Sequence, residues 1–134
     1  ENAYVVGGKE LTFIFPGKKG ITIANVTGED MGYPNFDMRQ WPLYVLQEKS
    51  VSGLPETQAK ELEGVSRIIL SDNDQIYKKA RLVWNDKTAY LVLGKKKSTI
   101  MIVDANVPGQ MVQVSIDGLS ETEIQTIVLQ GVMQ

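Results

Sequence analysis

The side chains that could do chemistry are few in kind. The chain has no histidine and no cysteine. That excludes an imidazole base, a thiolate nucleophile, a disulfide and any Cys/His metal site. Acid–base work would fall to Asp, Glu, Lys or Tyr, which serve only where burial or a neighbour shifts their pKa. A Ser–Lys nucleophile pair remains conceivable, and Lys97-Ser98 is an adjacent pairing. It reads more simply as the exposed start of a strand. Asp72-Asn73-Asp74 has the look of calcium ligands, but Gln75-Ile76-Tyr77 follows where an EF-hand loop needs its glycine, and no distal Glu arrives on schedule. The triplet reads as a turn. Gly94-Lys95-Lys96-Lys97-Ser98 lacks the second glycine of a phosphate loop and leads into a strand rather than a helix. No metal or cofactor is expected.

Two stretches remain as binding candidates. Basic charge is concentrated in residues 78–97, where Lys78, Lys79, Arg81, Lys87, Lys95, Lys96 and Lys97 face Asp86 alone. Residues 98–134 hold no Lys or Arg and four acids, and the whole chain carries −2. Such a stretch suits an anionic surface such as phospholipid headgroups, wall polymer or nucleic acid. The simpler reading is that the lysines guard an exposed sheet edge and solvated loops. Specific nucleic-acid binding is not expected, since Tyr77, Trp84 and Tyr90 read as core rather than as base-stacking residues. The second stretch is Met31-Gly32-Tyr33-Pro34-Asn35-Phe36-Asp37-Met38-Arg39-Gln40-Trp41. Long ordered loops are often functional, and aromatics with Met and Arg favour interfaces. Tyr33, Phe36, Met38, Arg39 and Trp41 are therefore the expected contacts for a protein or a small apolar or anionic ligand. The competing reading has them close the core of a small sheet.

The elements that must position these residues are mostly strands. Tyr4–Val6, Glu10–Phe15 and Ile21–Val26 read as strands, with turns at Gly7-Gly8 and Pro16–Gly20. Residues 28–42 read as a long irregular connection with one helical turn, and Leu43–Leu46 as a short strand. Pro55–Glu63 is a short helix stopped by Gly64, and Val65–Leu70 a strand. Ala80–Trp84 and Ala89–Leu93 flank Asn85–Thr88 as a hairpin. Thr99–Val103 and Met111–Ile116 form the next pair. Ser120-Glu121-Thr122-Glu123 is a capping box that opens a final helix, with Ile124, Ile127, Val128 and Val132 as its apolar stripe.

Length and composition bound the fold. The chain has 134 residues, 43% apolar and 22% charged, which suits a single domain over residues 1–134. Strands follow strands through short turns, so the expected class is α+β. The expectation is a single curved, mostly antiparallel sheet of about seven to nine strands, with a C-terminal helix and one short helix packed on it.

The second half has a recognisable order: Leu82-Val83-Trp84, then Tyr90-Leu91-Val92-Leu93-Gly94, then Gly118-Leu119-Ser120-Glu121-Thr122-Glu123-Ile124. Over residues 65–132 this resembles the extracytoplasmic domains of bacterial lipoproteins and anti-sigma-factor-like proteins, with an extra strand pair inserted before the helix. The resemblance implies a non-enzymatic binding or sensing domain of the cell envelope, free or lipid-anchored in the periplasm or at the surface, with no catalytic residues. The chain begins at Glu1 without Met, as leader removal would leave it. Two alternatives are a small hydrolase using carboxylates or a Ser–Lys pair, and a cytosolic adaptor or assembly subunit.

Overall fold

The computed structural model describes residues 2–6 and 10–130. The turn expected at Gly7-Gly8 and Val132 of the final stripe lie outside them. Seven strands form one antiparallel sheet: β1 (Asn2–Val6), β2 (Glu10–Phe15), β3 (Lys19–Thr27), β4 (Ile76–Trp84), β5 (Lys87–Gly94), β6 (Lys97–Asp104) and β7 (Gln110–Asp117). Their spatial order is β1-β2-β3-β7-β6-β5-β4, so the late strand β7 joins the N-terminal meander to the C-terminal one. The fold is α+β with a curved sheet, as the sequence leads one to expect.

Strand composition explains which parts of the sheet are covered. β5 and β6 read Ala89-Tyr90-Leu91-Val92-Leu93 and Ile100-Met101-Ile102-Val103, with every one of these side chains buried. A strand apolar at successive positions must be covered on both faces. One face carries Ala89, Leu91, Leu93, Ile100, Ile102, Val114 and Ile116 against Leu119, Ile124, Val128 and Leu129 from the chain's end. The other carries Tyr90, Val92, Met101, Val103 and Met111 against Met38, Trp41, Val45, Leu62 and Ile69. By contrast β2, β3 and β7 alternate apolar with polar residues, and their polar side is largely open.

Two helices cover the second face. α1 (Trp41–Val45) starts with Pro42 in its first turn, following a 3₁₀ turn over Met38–Gln40. α2 (Glu56–Ile69) follows Pro55 and runs 14 residues. Both correct the sequence reading, which placed strands at Leu43–Leu46 and Val65–Leu70 and stopped the helix at Gly64. Packing decided against local preference: Leu62 and Ile69 are buried seven residues apart on one helical face, while Ile68 is 74% exposed. Gly64 lies inside the helix, where it is tolerated rather than required.

The final helix α3 begins at Glu121–Glu123 behind the expected capping box. Ser120 Oγ accepts from the Glu123 amide at 3.2 Å, and Glu123 Oε1 accepts from the Ser120 amide at 3.0 Å. It continues over Ile124–Leu129 with π-helical winding. Bonds spanning five residues widen the turn, so the buried set is Ile124, Val128 and Leu129, and Ile127 faces solvent. The expected stripe is corrected at that residue.

The hairpin of β4 and β5 is tighter than expected. Trp84 pairs with Lys87, leaving only Asn85-Asp86 in the turn, with Asn85 at φ 51°. Asn tolerates that left-handed geometry, which matches the twist of the strands.

Candidate functional site

The segment 31–41 is part of the fold's fastening. Met38 is 1% and Trp41 2% exposed, both within the second core. Phe36 packs edge-on against Trp41, with ring centroids 6.2 Å apart, and lies 5.9 Å from Tyr44. Two bonds from the segment, and one from Gly28 just before it, tie this stretch to the turn between β6 and β7. The Gly28 amide donates to the Gly109 carbonyl, the Met38 amide to the Pro108 carbonyl, and Arg39 Nη1 to the Ala105 carbonyl. Arg39 also grips Asp37, through Nε at 2.8 Å and Nη2 at 2.9 Å. Tyr33 donates to Glu61 on α2 at 2.8 Å, a bond that raises the phenol's pKa. Met38 and Trp41 are therefore core residues, while Phe36, Tyr33 and Arg39 are half-buried. The half of the sheet under this segment is apolar, and Met38 and Trp41 complete its cover beside Val45 of α1 and Leu62 and Ile69 of α2.

The basic stretch divides in two. Along β4, Lys78 pairs with Glu121 at 2.7 Å and Arg81 with Glu48 at 2.6 Å, while Lys87 at the start of β5 reaches Asp104 at 3.4 Å. The Arg81 guanidinium also stacks 4.7 Å from the Tyr90 ring centroid. Lys79 is exposed on the same edge strand. Lys78, Arg81 and Lys87 carry their own counter-charges, as residues guarding a sheet edge can.

Lys95, Lys96 and Lys97 are placed differently. Lys95 and Lys96 form the turn between β5 and β6 and Lys97 opens β6, all three exposed at one end of the sheet. The turn is held from beneath: the Lys95 amide donates to the Gln75 carbonyl and the Lys96 amide to the Asp74 carbonyl. Gly94 makes this approach possible, since a Cβ there would lie 2.5 Å from both the Asp74 and Lys97 carbonyl oxygens. Ser98 is buried and accepts from the Gly94 amide at 3.0 Å, so its hydroxyl closes the turn and is not presented as a nucleophile. Asp72–Asp74 is a 3₁₀ turn capped by Ser71.

Across β7 and β3 the same end of the sheet receives the turn between β2 and β3. Register pairs Lys97 with Asp117 and Asp117 with Gly20. The Gly118 amide donates to the Lys96 carbonyl, and a Cβ on Gly118 would meet the Lys18 carbonyl oxygen at 3.1 Å. Lys18 and Lys19 thereby join Lys95–Lys97 around one open cleft of about 590 Å³, with Thr12, Thr22 and Asp117 also lining it. Lys19 bonds Glu123 at 3.0 Å. The Ser120 amide, and next Lys19, hold Glu123 below the ordinary carboxylate range. Among the described residues Lys18, Lys95, Lys96 and Lys97 enter no ion pair. Sequence reasoning found three of these five lysines. In sequence, Lys18-Lys19 reads only as part of the turn at Pro16–Gly20.

Compared with known proteins, the chain matches no family model, no curated protein and no solved structure.

Proposed function

We propose that the protein is a non-enzymatic binding domain of the bacterial cell envelope that holds an anionic ligand at the lysine corner. The carrying observation is the convergence of Lys18, Lys19, Lys95, Lys96 and Lys97 on one cleft, where Asp117 and Glu123 are the nearby acids. An attraction built from exposed ammonium groups is worth about 1 kcal/mol per lysine against an anionic surface, and salt screens it over about 8 Å. Four such groups, with Lys19 held beside them by Glu123, suffice for a chain that is acidic overall. The envelope setting rests on the resemblance over residues 65–132, and the lack of histidine and cysteine favours binding over catalysis.

Salt-dependent retention on an immobilised polyanion is the measurement that checks this. The wild type should bind at low ionic strength and release steeply as salt rises. A Lys95→Glu/Lys96→Glu/Lys97→Glu variant should pass through unretained, while Lys78→Glu/Lys87→Glu should lose much less. Equal retention of wild type and the Lys95–Lys97 variant would end the reading.

A further inference from the structure

The uncovered half of the second sheet face has a chemistry of its own. Register carries Thr12 to Thr22, Thr22 to Ser115 and Ser115 to Thr99. Directly opposed residues share a face, so four hydroxyl side chains stand in one row across β2, β3, β7 and β6. At a strand spacing of about 4.8 Å the row spans about 14 Å. Ser115 is exposed and the three threonines are half-buried. Thr12 and Thr22 hydroxyls lie 3.2 Å apart, a hydrogen bond within the row. The adjoining row toward the sheet's end is Ile14, Gly20, Asp117 and Lys97. Lys97 thus stands two residues before Thr99 on the same strand and face, and the lysine cleft is lined by Thr12 and Thr22 as well. Hydroxyl row and lysine corner are one continuous surface.

We propose that this surface is a track for an extended polyanion in which phosphodiesters alternate with hydroxyl-bearing polyol or sugar units. The inference rests on the anion-binding reading above and names its ligand. Lysines alone would accept any anion, but a compact one needs donors converging on a point, and these line an open cleft. A hydroxyl both donates and accepts, so the row suits a chain whose own hydroxyls do the same between its phosphates. Threonine in a strand is stiff at χ1, so little side-chain freedom is lost on contact. Single-stranded nucleic acid is disfavoured because these four positions carry no aromatic side chain on which successive bases could stack; Tyr4 on β1, paired with Thr12, lies at the end of the row beyond them. A bilayer would engage the lysines and leave the hydroxyls unused.

The test measures binding of soluble poly(glycerol phosphate) chains of graded length, with inorganic phosphate and phosphatidylglycerol vesicles as comparison probes. Wild type should prefer the polymer to free phosphate and gain affinity with length until the chain spans the row. A Thr22→Val/Thr99→Val/Ser115→Ala variant should bind the polymer about tenfold more weakly with an unchanged salt slope. The Lys95–Lys97 charge reversal should lose both affinity and slope. Thr22→Ser/Thr99→Ser, which keeps every hydroxyl, should retain wild-type affinity even if its melting temperature moves. If the hydroxyl-deleted variant binds like wild type while the lysine variant does not, the track is wrong and the anion site stands. If vesicles bind as well as polymer at matched phosphate, the surface is a membrane contact and the track is again wrong. If neither variant loses polymer binding, both readings fall together.

Discussion

Trp41 illustrates how the same side chain argues for an interface in sequence and for a core in space. Its ring is buried against Phe36 and within the second core, and its indole N–H finds no acceptor among the described residues. Trp41→Ala should cost about 3–5 kcal/mol by urea unfolding. Trp41→Phe should cost less, because it keeps a ring and removes an orphaned donor. Asp37 offers a second test. The Arg39 guanidinium bond, chiefly, holds its carboxyl below the ordinary range, against partial burial; the Arg39 amide and the charges of Arg39 and Lys49 add to the lowering. A depressed folded pKa contributes stability above the unfolded value, and that contribution is lost as pH falls through the folded value. Wild type should therefore lose stability below about pH 4, and Asp37→Asn should be less stable near neutrality with a shallower acid limb. A parallel acid limb in the two proteins would sink this.

Among the elements, strands were legible and the helices on the second face were only partly so. β5 and β6 declare two-sided burial through unbroken apolar runs. The capping box at Ser120–Glu123 declares a helix start through a local reciprocal bond. Both signals are complete within a few residues. The run Val65-Ser66-Arg67-Ile68-Ile69-Leu70 is rich in β-branched residues and follows a glycine, so local preference points to a strand. Its helix is decided by Leu62 and Ile69 meeting the sheet, a contact no short window contains. Gly64 then sits mid-helix with only Arg67 Nη2 within reach of a Cβ, at 3.9 Å. Gly64→Ala should raise stability by about 0.5–1 kcal/mol, readable as a higher denaturant midpoint with the same slope. Loss of stability would mean the helix interior is wrongly placed.

For the molecule as a whole, the two cores lie on opposite faces and share only the sheet between them. Amides of Leu91–Leu93 and Ile100–Ile102, covered from both sides, should exchange with deuterium last, and those of β2 well before them. Uniform protection across the sheet would contradict that order. The candidate site is likewise a property of the whole. Lys95–Lys97 was visible as a charge run, but nothing in Lys18-Lys19-Gly20 announces its neighbours. Only the pairing of β3 with β7, and of β7 with β6, brings the turns together. Hydrophobic periodicity reports which way a side chain faces and is silent about which strands lie side by side.

That pairing of β3 with β7 also sets a timetable for synthesis. Gly20 leaves the ribosome long before its partner Asp117 exists. At roughly 5–20 residues per second, the delay is on the order of 5–20 s. During it the nascent meander presents Ile21 and Ile23 on a free strand edge with no covering helix, since Leu119 and Ile124 come later still. The growing chain thus carries an adhesive edge until β7 has been made, and its yield should depend on how quickly residues 110–130 follow.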